Sequence, residues 1–492
     1  MPVPGQAPGV TCFCRHKELF SMLPEIRIDV AIIGAGTAGL YALREVRRAG
    51  RSFVLIDHGP LGTACARLGC MPSKVALHAA ALWQAREEMK EFGVSGGEAL
   101  QLDLAQTWSA LRGQRDRFTA SATAKARSAA GEQLIEGRAR FIEPTLLEVS
   151  TVAGLQRVHA GSVVIATGSR PHLPAWLEPV RERLVTTDQL FELEQLPSRI
   201  GVLGIGAIGL EMGLALARLG VQVTAVGGST LAGIDDPQVA ERAHARFSKE
   251  MTLWLGPPAS VEPTEQGVLL RSGERAAEVD LLLVAIGRRP NTDDLNLAAA
   301  GLAVDERGAP LFDPATLQLG DWPVFIAGDA NGQRALLHEA ADEGAISGYN
   351  AARNLRSRWK RKVPLGIVFS SPDVVAVGAR LSELDPQRIV IGSASGESNG
   401  RLRILGGEDN LLRVYADAKS GRLLGASLLC TDGEHLAHLL AWAIQRGETA
   451  QSLLQMPFYH PVVEELLATA LQEIARRFST ADEVPMGLVA ED

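Results

Sequence analysis

The sequence predicts an α/β protein with two Rossmann-like dinucleotide-binding domains and a smaller C-terminal α+β domain. Three observations point there. Asp29-Val-Ala-Ile-Ile-Gly-Ala-Gly-Thr-Ala-Gly39 runs an apolar strand into a glycine-rich loop, and Arg199-Ile-Gly-Val-Leu-Gly-Ile-Gly-Ala-Ile-Gly-Leu-Glu211 repeats the pattern. After residue 355 the patterning changes to strands over 410–416 and 421–430, followed by helices from Glu434 and Val462. At 492 residues and 46% hydrophobic content, the chain is long enough for two to four domains with a sizeable core.

In the first unit Gly34, Gly36 and Gly39 precede a helical stretch through Arg48, the strand 53–56 follows, and Asp57 closes it. That spacing suits a dinucleotide. Glycines let the pyrophosphate approach a helix N-terminus, and an acid at the end of the second strand takes ribose hydroxyls. In the second unit Gly204, Gly206 and Gly209 lead into a helix and the strand 221–226, where Gly227, Gly228 and Ser229 stand in place of the acid. One loop alone is weak evidence, since glycines also serve tight helix packing; two in strand-loop-helix context imply two nucleotides. With neither acid nor arginine after the strand, the second loop decides between NAD and NADP only weakly. The absence of cations through Asp236 tips the reading toward NAD.

Close behind the first unit comes Leu61-Gly-Thr-Ala-Cys-Ala-Arg-Leu-Gly-Cys-Met-Pro-Ser-Lys74. On a regular helix Cys65 and Cys70 would lie roughly 8.6 Å apart by Cα, beyond the about 7 Å that a disulfide spans. An irregular turn around Gly69 is therefore required. So short a loop removes only roughly 2 kcal/mol of unfolded-chain entropy, a poor staple. Pro72 suits the first turn of a helix over 73–88, so Cys70 would face a helix N-terminus that favours its thiolate. A cycling dithiol is the better reading, and two unlinked buried cysteines are the alternative.

The formal charge of −8 carries no extended basic block, which argues against nucleic acid or an anionic membrane as partner. Arg358-Trp-Lys-Arg-Lys362 reads as a short basic linker. No apolar run approaches a membrane span, and residues 1–21 lack the apolar core of a signal peptide, so a cytoplasmic location is expected. Five cysteines suit a reducing compartment, where a functional disulfide is usually catalytic. Cys12, Cys14 and His16 fall short of a closed metal site, so no metal is expected. Cys430 reads as a buried strand residue.

With a dithiol between two nucleotide loops, the chain resembles the FAD-dependent pyridine nucleotide-disulfide oxidoreductases, most of all the dihydrolipoyl dehydrogenases. Further stretches fit in order: Val163-Val-Ile-Ala-Thr-Gly168, Leu282-Leu-Val-Ala-Ile-Gly-Arg-Arg-Pro-Asn291, Val324-Phe-Ile-Ala-Gly-Asp329, then His338 and Glu343-Gly344. The resemblance implies FAD at Gly34, Gly36, Gly39, Asp57, Thr167, Gly168, Gly328 and Asp329, with the segment around His338 capping the flavin ring. It puts NAD at Gly204, Gly206, Gly209 and Gly287, NADP not being excluded, and it places Lys74 and Glu211 as a pair beside the flavin. Cys65 would exchange with substrate and Cys70 would contact flavin. Met456-Pro-Phe-Tyr-His-Pro-Val-Val-Glu-Glu465 supplies His460 as base and Glu465 as its holder, with Glu464 the alternative carboxylate. Pro461 would suit the start of the following helix.

The resemblance also implies a homodimer, because the histidine comes from the second subunit. It divides the chain into an extension over 1–21, an FAD domain over 22–171 and 290–354, an NAD(P) domain over 172–289, and a C-terminal dimerisation domain over 355–492. Four departures from the family pattern, Ala64 for threonine, Arg67 for asparagine, Val462 for threonine and Gly227 for glutamate, bear on substrate more than on mechanism. Arg67 either lowers a thiol pKa, meets an acidic partner, or is simply solvated. The expected activity is NAD-linked oxidation of a lipoyl-bearing protein. The alternatives are an NAD(P)H-dependent reductase of another disulfide or oxidant, and a flavin redox sensor with little turnover.

Overall fold

A computed structural model describes residues 23–306, 308–478 and 484–491. Cys12, Cys14, His16 and the N-terminal extension lie outside the described residues. The chain forms two compact units. The first takes the described residues up to Pro60 with Ala129–Thr167 and Thr292–Arg356, and the second takes Leu61–Ser128, Gly168–Asn291 and the chain from Ser357 onward.

In the first unit the strand Ile26–Ile33 lies between Phe53–Asp57 and Gly154–Ile165, all parallel. Leu134–Glu143 extends the sheet beyond Phe53–Asp57, and Val324–Ile326 extends it beyond Gly154–Ile165, again in parallel. Leu146–Thr151 joins Leu134–Glu143 to Gly154–Ile165 as an antiparallel meander. Buried on both faces, the inner strands need continuous apolar runs, which Val30-Ala-Ile-Ile33 and Val54-Leu-Ile56 provide. The helix Thr37–Arg48 packs against Leu337–Arg353 through small residues: a Cβ on Gly344 would lie 2.2 Å from the carbonyl oxygen of Ala38, and one on Gly348 would lie 2.4 Å from that of Ala42.

The second unit repeats the parallel core. Its strands run Thr252–Leu255, Gln222–Gly227, Arg199–Leu203, Leu281–Val284 and Leu184–Val185 across the sheet. An antiparallel sheet of Ala259–Pro263, Val268–Ser272 and Arg275–Val279 accompanies it. Beyond Ser357 a five-stranded antiparallel sheet runs Leu365–Val368, Asp373–Gly378, Leu423–Cys430, Leu411–Asp417 and Ile389–Ser395, with the helices Gly433–Arg446 and Glu465–Ala475 packed on it. Cys430 ends its strand fully buried, as its setting in the sequence indicates.

Two helices begin elsewhere than the sequence suggests. The helix expected from residue 73 starts at Cys70 and runs to Glu91. Pro72 is tolerated in its first turn, where a missing N–H costs nothing, and Ser73 N donates to Gly69 O at 3.2 Å to close that turn. The helix expected from Val462 begins at Glu465, so Pro461 does not start it. The carbonyls of Val462 and Val463 are instead taken by the buried amide of Asn399, at 3.2 and 3.4 Å, which holds them in a turn. Among the described residues no helix is long and apolar enough to cross a membrane.

Candidate active site

The two glycine loops are built alike within their own units. Gly34 and Gly204 have φ of +109° and +91°, a region glycine alone enters freely. An added Cβ would meet the carbonyl oxygen of Ala166 at 2.2 Å in the first case and that of Ala285 at 2.5 Å in the second. Gly39 and Gly209 allow equally close approach to the loops preceding their helices, with a Cβ 1.9 Å from Gly34 O and Gly204 O respectively. By contrast, nothing lies within 4 Å of a Cβ at Gly36 or Gly206, and both cap their helices without a side chain. Each helix therefore opens on free space with its first amides uncapped by side chains, a cradle that fits a pyrophosphate.

In the first unit the Asp57 carboxylate accepts from Ala35 N at 2.6 Å and from Gly59 N at 2.7 Å. A carboxylate has about four acceptor positions, so capacity remains for ribose hydroxyls. The Gly328–Asn331 turn, which carries Asp329, is held by Glu343: its Oε2 accepts from Gly328 N and Asn331 Nδ2, both at 2.7 Å. Glu343 is almost fully buried, and the sequence marks it only as the neighbour of Gly344. Thr167 ends the middle segment of this unit, and His338 stands exposed in the first turn of Leu337–Arg353.

In the second unit Cys65 sits on the short helix Ala64–Arg67, and Cys70 is the first residue of Cys70–Glu91. The chain breaks between them at Leu68 and Gly69, the irregular turn that the dithiol requires. Both cysteines are free thiols, Cys65 part-buried and Cys70 exposed. Their side chains hydrogen-bond, with opposite consequences. The bond from Cys65 and then the charge of Lys74 lower the Cys70 thiol to about 7, against the opposing effect of burial. The same bond, with burial and the neighbouring Cys70 charge, pushes Cys65 far above the ordinary thiol range. The cation acting on both thiols is Lys74; Arg67 is part-buried with an Nε that has no hydrogen-bond partner.

Lys74 and Glu211 form a two-pronged ion pair, Nζ lying 2.8 and 2.7 Å from the carboxylate oxygens. Glu211 also accepts from Phe369 N at 3.0 Å, and Lys74 Nζ lies 4.5 Å from the centroid of the Phe369 ring. Phe369 is a member of this cluster that the motifs do not reveal. Gly168 and Gly287 flank a two-stranded ribbon, Ser169–Pro171 with Arg288–Pro290, where Asn291 N donates to Gly168 O and His172 N to Gly287 O.

His460 and Glu465 pair at 2.9 Å between Nδ1 and Oε1, while Glu465 Oε2 accepts from Val462 N at 3.1 Å. The hydrogen bond from His460 is the main influence holding the Glu465 carboxyl below its usual range. The bond engages Nδ1 of an imidazole that is 78% exposed. Glu464 precedes the helix and takes no part in this pair.

Residues 28–344 match the family model for pyridine nucleotide-disulphide oxidoreductases, and residues 365–471 match that family's dimerisation domain. The chain belongs to this family. Its members use FAD and NAD(H), and the chain is accordingly a flavin-dependent oxidoreductase. It is similar to the dihydrolipoyl dehydrogenase of Chlorobaculum parvum, 28% identical over 455 residues that cover 90% of this chain and 96% of that one. The dihydrolipoyl dehydrogenase of Halobacterium salinarum is 29% identical over 465 residues, covering 90% and 95%. Among solved structures, LpdA from Mycobacterium tuberculosis superposes with a TM-score of 0.79 at 25% identity, covering 92% of this chain and all of that one. The HOCl-induced flavoprotein disulfide reductase RclA from Escherichia coli, in its Cu(II) complex, gives 0.78 at 24% identity over 91% and 99%, a likeness of fold.

Proposed function

We propose that this chain is a dihydrolipoyl dehydrogenase, moving electron pairs from the dithiol of a lipoyl-bearing protein to NAD through Cys65 and Cys70. The observation that carries this reading is the pair of neighbouring thiols on either side of the break at Leu68 and Gly69, with Cys70 first in its helix and its thiol lowered by Cys65 and Lys74. The names of its relatives, matched over nine-tenths of the chain, support the choice of substrate.

In this reading Gly34, Gly36, Gly39, Asp57, Thr167, Gly168, Gly328, Asp329 and His338 would hold FAD, which would supply the two-electron relay between dithiol and nicotinamide. Gly204, Gly206, Gly209 and Gly287 would hold NAD, and the pair of Lys74 and Glu211 would set the charge beside the flavin. The domains divide at residues 171, 289 and 354. The enzyme works as a homodimer, consistent with the family's dimerisation domain, and His460 of the partner subunit serves each dithiol.

Oxidation of substrate begins from the disulfide form of Cys65 and Cys70. His460 takes the proton of the first substrate thiol at Nε2, because Nδ1 is committed to Glu465. The substrate thiolate bonds to Cys65 Sγ, the Sγ–Sγ bond breaks, and Cys70 departs as a thiolate. The thiol of lower pKa leaves faster, so attack falls on Cys65. The second substrate thiol then displaces Cys65 and closes the substrate disulfide. Cys65 leaves with the proton from His460, and the second substrate proton passes through the imidazole to solvent.

The test is turnover of dihydrolipoamide with NAD, set beside NADH-driven reduction of glutathione disulfide and other small disulfides. Dihydrolipoamide should be preferred by at least roughly tenfold in kcat/KM, and Cys65→Ser should abolish turnover. A disulfide used better than the lipoyl couple would overturn the substrate, and undiminished activity in Cys65→Ser would remove the dithiol from the chemistry.

A further inference from the structure

Within the second unit, the missing acid at the end of Gln222–Gly227 has a packing cause. A Cβ built on Gly227 would lie 2.4 Å from Cγ1, 2.9 Å from Cδ1 and 3.2 Å from Cβ of Ile205. Ile205 is almost fully buried, and its carbonyl is pinned by Ala232 N at 2.7 Å, which fixes the backbone that carries the obstructing side chain. One residue further on, nothing lies within 4 Å of a Cβ at Gly228. The obstruction is confined to the strand end.

The first unit holds the same two positions in the opposite combination. Ala35 follows Gly34 as Ile205 follows Gly204, and Asp57 stands as far beyond Gly34 as Gly227 stands beyond Gly204. There the small alanine leaves room for the acid, whose carboxylate accepts from the alanine amide at 2.6 Å. One loop pairs a small residue with an acid, and the other pairs a bulky residue with a glycine.

We propose that Ile205 excludes the ribose-binding carboxylate from the nicotinamide nucleotide site, so that the site accepts a 2′-phosphorylated adenosine ribose almost as readily as an unphosphorylated one. An acid at the strand end both accepts from the 2′-hydroxyl and repels a 2′-phosphate. With glycine there, neither effect operates. The stretch 227–236 also carries no lysine or arginine to reward the phosphate, so discrimination is weak in either direction. The inference concerns the nucleotide alone and stands whichever disulfide the enzyme uses.

Calorimetric binding of ADP-ribose and of 2′-phospho-ADP-ribose to the FAD-loaded protein tests it without turnover, since neither carries a nicotinamide. The wild-type affinities should fall within about tenfold of each other, against the roughly tenfold to hundredfold that a charged hydrogen bond contributes. A larger ratio either way would overturn the proposal. Gly227→Asp alone should lower the melting temperature and leave the ratio unchanged. Ile205→Ala with Gly227→Asp, which reproduces the Ala35 and Asp57 pair, should restore stability and favour ADP-ribose by roughly tenfold or more. Equal selectivity from Gly227→Asp alone, without loss of stability, would show that Ile205 excludes nothing. Should the double variant not fold, Gly227→Ala and Gly228→Ala still decide the packing. The first should be the more destabilising, and Ile205→Ala should relieve it; equal effects would refute the interlock.

Discussion

At Cys70 three influences favour the thiolate: the thiol of Cys65, the charge of Lys74, and its place as first residue of a helix. The Cys65 bond is the largest and burial works against all three, so the reactivity of one cysteine is largely the gift of the other. In reduced protein, alkylation of Cys70 should therefore rise through about pH 7. Cys65→Ala should move that midpoint up by about one pH unit, the worth of one hydrogen bond. An unmoved midpoint, read from alkylation rate against pH, would contradict the hydrogen-bonded pair. The irregular turn between the cysteines was legible because their spacing, a nearby glycine and a proline together constrain it. Lys74 as the dithiol's cation was not, since the charge nearest in sequence is Arg67 and proximity along a chain says little about direction in space. Ile205 carries no signal for a related reason: a bulky residue between loop glycines means nothing until the strand end opposite it is known.

Among the elements, the crossing of Thr37–Arg48 and Leu337–Arg353 fixes the helix whose N-terminus forms the first cradle. Ala38 and Ala42 on one helix meet Gly344 and Gly348 on the other, four residues apart on each. Gly344→Ala would drive a Cβ to 2.2 Å from Ala38 O and push the helices apart. A loss of about 1–3 kcal/mol is expected, together with weaker retention of FAD, measured by thermal unfolding and by flavin released on dilution. Gly113→Ala, in the helix Leu104–Ala130 with nothing within 4 Å, should instead be neutral or stabilising by up to about 1 kcal/mol. Equal stability of the two variants would contradict the close crossing. The strands and glycine loops were readable because their period and punctuation are local. The crossing was not, since a pair of small residues four apart does not name its partner. The helix after His460 begins three residues later than its sequence suggests, because the amide that holds the preceding turn belongs to Asn399, far along the chain.

On the scale of the whole molecule, the two nucleotide units were evident from their repeated loops, whereas the division into two compact units, each drawn from three stretches of chain, has no mark in composition. The proposed homodimer makes a quantitative demand. His460→Ala should slow dithiol exchange by roughly 100-fold to 10,000-fold, the usual share of a positioned base. Mixing it with Cys65→Ser at equal amounts should then restore about a quarter of wild-type activity, because about half the dimers are mixed and each keeps one intact site. No rescue after verified subunit exchange would place both residues in one subunit. The claim on which all else depends is that electrons pass through Cys65 and Cys70, and anaerobic thiol counting tests it most directly. Oxidised, FAD-loaded protein treated with NADH and then alkylated should gain two labelled thiols per chain, mapped by mass spectrometry to Cys65 and Cys70. Reduction of the flavin with no new thiol at either position would contradict it.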